Sequence, residues 1–239
     1  MVSETISTTA LEARELSVRY GDAIALDAVD IDLPAGRISA LVGHNGSGKS
    51  TVIKAVAGVV SARGRIRFGG SDISELGAYE RSTQGISLAP QTNQVFPRLS
   101  IVDNLRVFAT SRRLDDAEID LALDRFPILR ERSKRLAGVL SGGERQMLSI
   151  SRALMGAPSL LLIDELTAGL AHGIIREITD FISGLVDDGL TVLCAEPNLA
   201  AIQHWVHGGY VLQRGRVVGT ADGGEALHDL SRQRLGITT

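Results

Sequence analysis

The octapeptide GHNGSGKS, Gly43 to Ser50, satisfies every fixed position of the pattern G-x-x-x-x-G-K-[ST]. The chemistry open to such a stretch is phosphate binding. Gly43, Gly46 and Gly48 let the chain wrap closely, so that the N–H groups of the loop (His44, Asn45 and Ser47 included) and of a following helix start converge on phosphate oxygens. Lys49 has the reach for the β- and γ-phosphates, the Ser50 hydroxyl suits a Mg²⁺ shell, and Thr51 completes the stretch that would hold a triphosphate. The bland alternative is a glycine-rich turn between a strand and a helix. The apolar run RISALVG (37–43) before the loop and the helical run to Gly58 after it favour nucleotide binding.

SLLLIDE (159–165) supplies a second part. A buried strand ending at Asp164 projects a carboxylate from a sheet edge, where a phosphate-bound Mg²⁺ needs one, and Glu165 is a candidate base for polarising an attacking water. Alone this motif is weak, since acidic residues often end strands; beside the loop at 43–50 it gains force. In LSGGERQ (140–146), Ser141 and Glu144 have the spacing of a helix capping box, while Gly142 and Gly143 expose N–H groups at a helix start. One nucleotide does not need two anion sites in one chain, which suggests pairing of two chains head to tail. TVLCAEPN (191–198) reads as a strand that ends at Glu196-Pro197-Asn198.

These motifs must be positioned by a framework, and the composition allows one. The 239 residues are 44% hydrophobic and 22% charged, enough for one large α/β domain. A net charge of −3, with Lys and Arg scattered, argues against nucleic acid as a partner. The one cysteine, Cys194, lies in an apolar strand and reads as a buried thiol. The start, MVSETISTTA, lacks the charge and apolar core of a signal peptide, and no run approaches a membrane span, so a cytoplasmic location is expected. Residues 11–33 alternate as an antiparallel pair broken at YGD, GRIRFGG reads as an edge strand, and GISLAP (85–90), SLLLIDE and LTVLCAE read as buried strands. Residues 100–136 are helical in period, as are the stretches after LSGGERQ and from HGIIREI; the end carries a hairpin turning at Arg214-Gly215 and a short helix. Strand–helix alternation after residue 37 predicts a mostly parallel sheet.

In this order, with LSGGERQ about ninety residues after the phosphate loop and SLLLIDE soon after that, the motifs resemble the ABC ATPase family over essentially the whole chain. VFPRLSIVDNL, LSGGERQMLSISRALM, TAGLAHGIIREI and GYVLQRGRVVG look most like the ATPases of branched-chain amino acid importers, with urea importers close behind. The resemblance implies a P-loop NTPase core with an N-terminal antiparallel lobe and a small helical subdomain: one domain over 1–239, its core at 1–91 and 157–239, its helical part at 92–156. It implies two subunits, identical or sister, sandwiching two ATP molecules with Mg²⁺. In that arrangement the signature residues Ser141, Gly142, Gly143 and Glu144 lie at the nucleotide of the other subunit, and Tyr20 stacks on adenine. Gln91 senses Mg²⁺ and the attacking water beside a transmembrane permease, placing the chain on the inner face of the membrane and, indirectly, in the service of a solute-binding protein.

Three positions depart from the family's general form: Leu166 stands where Pro is usual, Ala171 where an Asp is common, and Pro197 where a switch His, or Gln in the amino acid importer type, contacts the γ-phosphate. Proline offers neither a side-chain donor nor an N–H, and losing a charge-stabilising donor slows such chemistry on the order of 100-fold. The expectation is ATP binding with slow intrinsic hydrolysis. The alternative is that Asn198 or His172 substitutes and Glu165 keeps the site active. A different class of function, a soluble ATP-switched regulatory module, stands as runner-up.

Overall fold

β3 (Ile38–Val42) is buried at every position, as are β7 (Leu160–Asp164) and β8 (Thr191–Glu196), which is why these stretches are continuously apolar rather than alternating. The computed structural model describes residues 9–91 and 95–236. A six-stranded sheet runs β10-β9-β3-β8-β7-β6, adding β6 (Ile86–Ala89), β9 (Gly208–Gln213) and β10 (Arg216–Asp222). Five neighbours, β9, β3, β8, β7 and β6, are parallel, and β10 closes the edge antiparallel to β9. The hairpin between β9 and β10 turns where expected, with Arg214 and Gly215 both at positive φ (50° and 76°), as a tight primed turn requires.

A second sheet, in the order β2-β1-β4-β5, is antiparallel throughout and is formed by β1 (Thr9–Tyr20), β2 (Ala23–Pro34), β4 (Arg63–Phe68) and β5 (Ser71–Asp72). GRIRFGG was expected at the edge; the two-residue β5 lies outside it, pairing Phe68 with Ser71. The two faces of the parallel sheet feed two cores. Leu41, Leu162 and Leu193 pack with β1, β2 and the helix α1 (Lys49–Val56), while Ala40, Leu161, Ile163 and Cys194 face the other helices. The alternation follows from the two-residue period of a strand.

Between β6 and β7 lie α3 (Ile101–Arg112), α4 (Asp116–Asp124), α5 (Pro127–Glu131) and α6 (Gly142–Ala153), matching the helical period of that stretch; α2 (Ala78–Thr83) precedes β6. The proposed start of the helical part at residue 92 falls outside the described residues. α7 (His172–Asp187) joins β7 to β8, and α8 (Gly224–Leu235) follows β10. Cys194 is free and wholly buried, and burial pushes its thiol well above the ordinary range, so it is a packing residue.

Candidate functional site

Four adjacent parallel strands deliver the expected chemistry to one edge of the sheet. β3 ends at Gly43, β8 at Glu196 and Pro197, β7 at Asp164 and Glu165, and β6 leads through Pro90 to Gln91. Ligands of open α/β sheets bind at such carboxyl ends. A cavity of 380 Å³ lies there, lined by Ala25, Asn45, Gly46, Gly48, Lys49, Ser50, Thr51, Gln91 and Glu165. Gly48 caps α1 at φ 109°, and a β-carbon there would come within 2.8 Å of the Ala25 carbonyl, so only glycine lets the loop pass this close to β2. No side chain caps α1 and no acidic residue sits in its first turn, so its free N–H groups and the positive end of the helix are left for an anion.

Lys49 is 4% exposed, and its ammonium donates to the carbonyls of Gly43 at 2.7 Å and His44 at 3.1 Å. Burial lowers its pKa, with the nearby charges of Glu165, Asp164 and Glu196 acting the other way. The Ser50 hydroxyl donates to Asp164 Oδ1 at 2.8 Å. Burial raises the Asp164 pKa, opposed by that hydrogen bond. Gln91 Nε2 donates to Glu165 Oε2 at 2.6 Å, fixing the carboxylate of the candidate base. Two hard oxygens side by side, Ser50 Oγ lining the cavity and Asp164 Oδ1 bonded to it, fit Mg²⁺, which binds through one or two protein oxygens plus substrate phosphates and water. Among the described residues no cluster of three His, Cys, Asp or Glu could hold a metal by itself, so the phosphates would complete the shell.

Other expected residues lie elsewhere. Tyr20 is half-exposed at the end of β1, at the hairpin whose second strand carries Ala25 into the cradle; its ring does not line the cavity. Ser141, Gly142, Gly143 and Glu144 start α6 and do not line the cradle either. Their capping box is fully formed: Ser141 Oγ accepts from the Glu144 N–H at 3.2 Å, and Glu144 accepts from the Ser141 N–H at 3.0 Å. Arg132 donates to the second Glu144 oxygen at 2.6 Å, so that carboxylate is spent on holding the helix start. The Ser141 oxygen serves the cap as an acceptor, a role that does not use the hydroxyl proton.

Around Pro197 neither substitute reaches the cradle. Asn198 accepts from the Ala200 N–H at 2.7 Å, turning the chain after β8. His172, at the start of α7, lines a different cavity with Arg176, Thr179, His204 and Trp205. Sequence reasoning missed three contributors: Ala25 in the cradle wall, Glu196 beneath it, and the ring of His44, whose Nε2 lies 2.9 Å from the Leu235 carbonyl at the end of α8. Only the EPN break in an apolar strand hinted at one of them.

The loop at the end of β3, the helix start behind it and the carboxylate at the end of β7 define a P-loop nucleotide-binding protein. Residues 26–168 match the family model described as ABC transporter, and the chain belongs to that family. It is 38% identical over 216 residues to the high-affinity branched-chain amino acid transport ATP-binding protein BraG of Pseudomonas aeruginosa, covering 89% of this chain and 92% of BraG. It is 37% identical over 229 residues to the probable branched-chain amino acid transport ATP-binding protein LivF of Archaeoglobus fulgidus, covering 94% and 97% of the two chains. Its fold superposes on the ADP conformation of MJ1267, an ATP-binding cassette of an ABC transporter, with a TM-score of 0.84 at 27% identity over 94% of this chain and 95% of that one.

Proposed function

We propose that this chain is the ATP-binding subunit of an ABC importer, driving uptake of branched-chain amino acids or similar small polar solutes. The observation that carries the reading is the convergence of Lys49, Ser50 and the Gln91–Glu165 pair on one cavity, with Asp164 bonded to the Ser50 hydroxyl. The kinship to BraG and LivF supports the solute class. No helix among the described residues is long and apolar enough to cross a membrane, which accords with transmembrane permease subunits holding the chain at the inner face while a solute-binding protein delivers the cargo to the permease from the opposite side.

In this reading residues 43–51 wrap the triphosphate, and Lys49 swings from the loop carbonyls to the β- and γ-oxygens. Ser50, Asp164 and Gln91 would hold the Mg²⁺ shell, where the ion would supply neutralisation of phosphate charge. Glu165 takes the proton of the attacking water. The exposed ring of Tyr20 receives the adenine face. Ser141 presents its free proton to the γ-phosphate in a second copy or sister subunit, with Gly142 and Gly143 beside it. Intrinsic hydrolysis is slow, because Pro197 offers no donor while Asn198 and His172 are engaged or placed elsewhere.

The test is uptake of labelled leucine, isoleucine and valine by cells lacking this chain, with the tagged chain purified from membranes. Loss of uptake and recovery of permease subunits are expected. Normal uptake, with recovery of a soluble partner alone, would replace this reading with a regulatory module, which Pro197 also suits.

A further inference from the structure

Three consecutive backbone amides leave the end of β7 and turn toward β8. The Glu165 N–H donates to the Ala195 carbonyl at 2.9 Å. The Leu166 N–H donates to Glu196 Oε1 at 2.6 Å, and the Thr167 N–H donates to the same oxygen at 3.2 Å. The Thr167 hydroxyl donates to Glu196 Oε2 at 2.8 Å. Successive N–H groups around a left-handed residue form a concavity that holds an anion. Here the anion is a side chain of the protein itself, and it is completely buried.

The residue at the mouth of this concavity is Glu165, with φ 60°. A left-handed conformation at a non-glycine residue is strained, and persists where its surroundings over-determine it. The bonds to Ala195 and Glu196 supply that determination by fixing the peptide units on both sides of the Glu165 α-carbon. The main chain of Glu196 is also engaged, its carbonyl accepting from the Gly43 N–H at 3.3 Å. One residue thus ties the first residue of the phosphate loop to the segment that carries the base. Two departures from the general family form acquire a physical meaning together. Leu166 has the N–H that makes the shortest of these bonds, and Pro197, next to Glu196, has none to give.

We propose that Glu196 is the positioning residue of the hydrolytic site. Its carboxylate, seated in the amides of Leu166 and Thr167, holds Glu165 in the left-handed conformation that aims its side chain at the phosphate cradle. The end of β8 therefore serves hydrolysis through residue 196 rather than through a side chain at 197. This rests on the reading of Glu165 as the base in ATP hydrolysis.

A merely structural Glu196 would affect nucleotide affinity and turnover alike; a positioning one affects turnover. The experiment is single-turnover hydrolysis of labelled ATP with Mg²⁺, alongside equilibrium binding of a fluorescent ATP analogue, on the wild type, Glu196→Ala, Glu196→Gln, Thr167→Val and Lys49→Ala. With the base misplaced, Glu196→Ala should slow hydrolysis at saturating ATP by about 10- to 100-fold and change the dissociation constant less than about 3-fold. Glu196→Gln, whose carboxamide oxygen still accepts both amides, should recover most of the loss. Thr167→Val removes one of the bonds without emptying the site and should fall between, which keeps the test available if the alanine variant does not fold. Wild-type rates in Glu196→Ala or, should that variant not fold, in Thr167→Val would overturn the proposal, as would a Gln variant no better than Ala or a parallel fall of affinity and rate. If the wild type hydrolyses no faster than Lys49→Ala, it is the hydrolytic reading that fails. Amide hydrogen exchange at Leu166 and Thr167 then decides on the seat itself: faster exchange in the Ala or Val variant supports it, and unchanged exchange overturns it.

Discussion

Replacing Glu196 by Gln should stabilise the protein at alkaline pH and do little at acid pH. The Glu196 carboxyl is raised from its ordinary 4.5 to about 7, because burial penalises the charge more than the bonds from Thr167 and Leu166 favour it; the neighbouring Glu165 adds repulsion. The folded protein therefore binds this proton more tightly than the unfolded chain does. The stability this contributes is present in full below about 4.5 and is gone once the pH has risen through about 7. Between 4.5 and about 7 this corresponds to about 3 kcal/mol, at about 1.36 kcal/mol for each tenfold change in proton affinity. Gln carries no charge at any pH, so the stability of Glu196→Gln relative to the wild type should grow by about 3 kcal/mol between about pH 4 and about pH 9. For a chain of this length that is an increase of about 6–12 °C in the difference between the two melting temperatures. Thermal and urea unfolding of both proteins across this interval read it directly. Stability differences that stay constant with pH would refute the reasoning, since burial of an ionised carboxylate would then not be what raises its pKa.

Further outcomes follow from the same geometry. Asp164→Asn removes the charge facing the Mg²⁺ position while keeping the acceptor for Ser50 at 2.8 Å, and should lower Mg²⁺-dependent hydrolysis by about 100-fold or more while the fold survives, as read by circular dichroism. Pro197→His supplies the missing donor and should raise steady-state ATPase by at least about 10-fold; no gain, with ordinary wild-type turnover, would remove the reading of an impaired site. Ser141→Ala deletes the acceptor of the capping box and should cost about 1 kcal/mol of stability by urea unfolding, with the hydrolysis of paired subunits also reduced.

The sheet and its motifs were legible because their signals are local. A five-residue run such as LLLID, buried at every position, is apolar up to its last residue, Asp164, and the glycines, Lys49 and Ser50 announce the cradle by their spacing alone. Ser141 and Glu144 are equally local, so the capping box was readable three residues apart. What escaped notice depends on contacts between distant parts of the chain. Glu196 meets Leu166 across 30 positions, Arg132 reaches Glu144 from just past the end of α5, and His44 meets Leu235 across 191. In sequence Glu196 is one acidic residue at a strand end, and nothing near it names its partners. Ala25 lines the cradle only because the second sheet folds over the loop, and a small residue in a strand carries no sign of that.

The central claim is that the cavity at the ends of β3, β7 and β6 binds ATP with Mg²⁺ through Lys49. Calorimetric titration of the purified chain with ATP in the presence of Mg²⁺, beside Lys49→Ala, tests it most directly. Micromolar binding by the wild type is expected, weakened at least about 10-fold by the substitution in a protein that remains folded. Absence of binding by the wild type, or equal binding by both proteins, would contradict it.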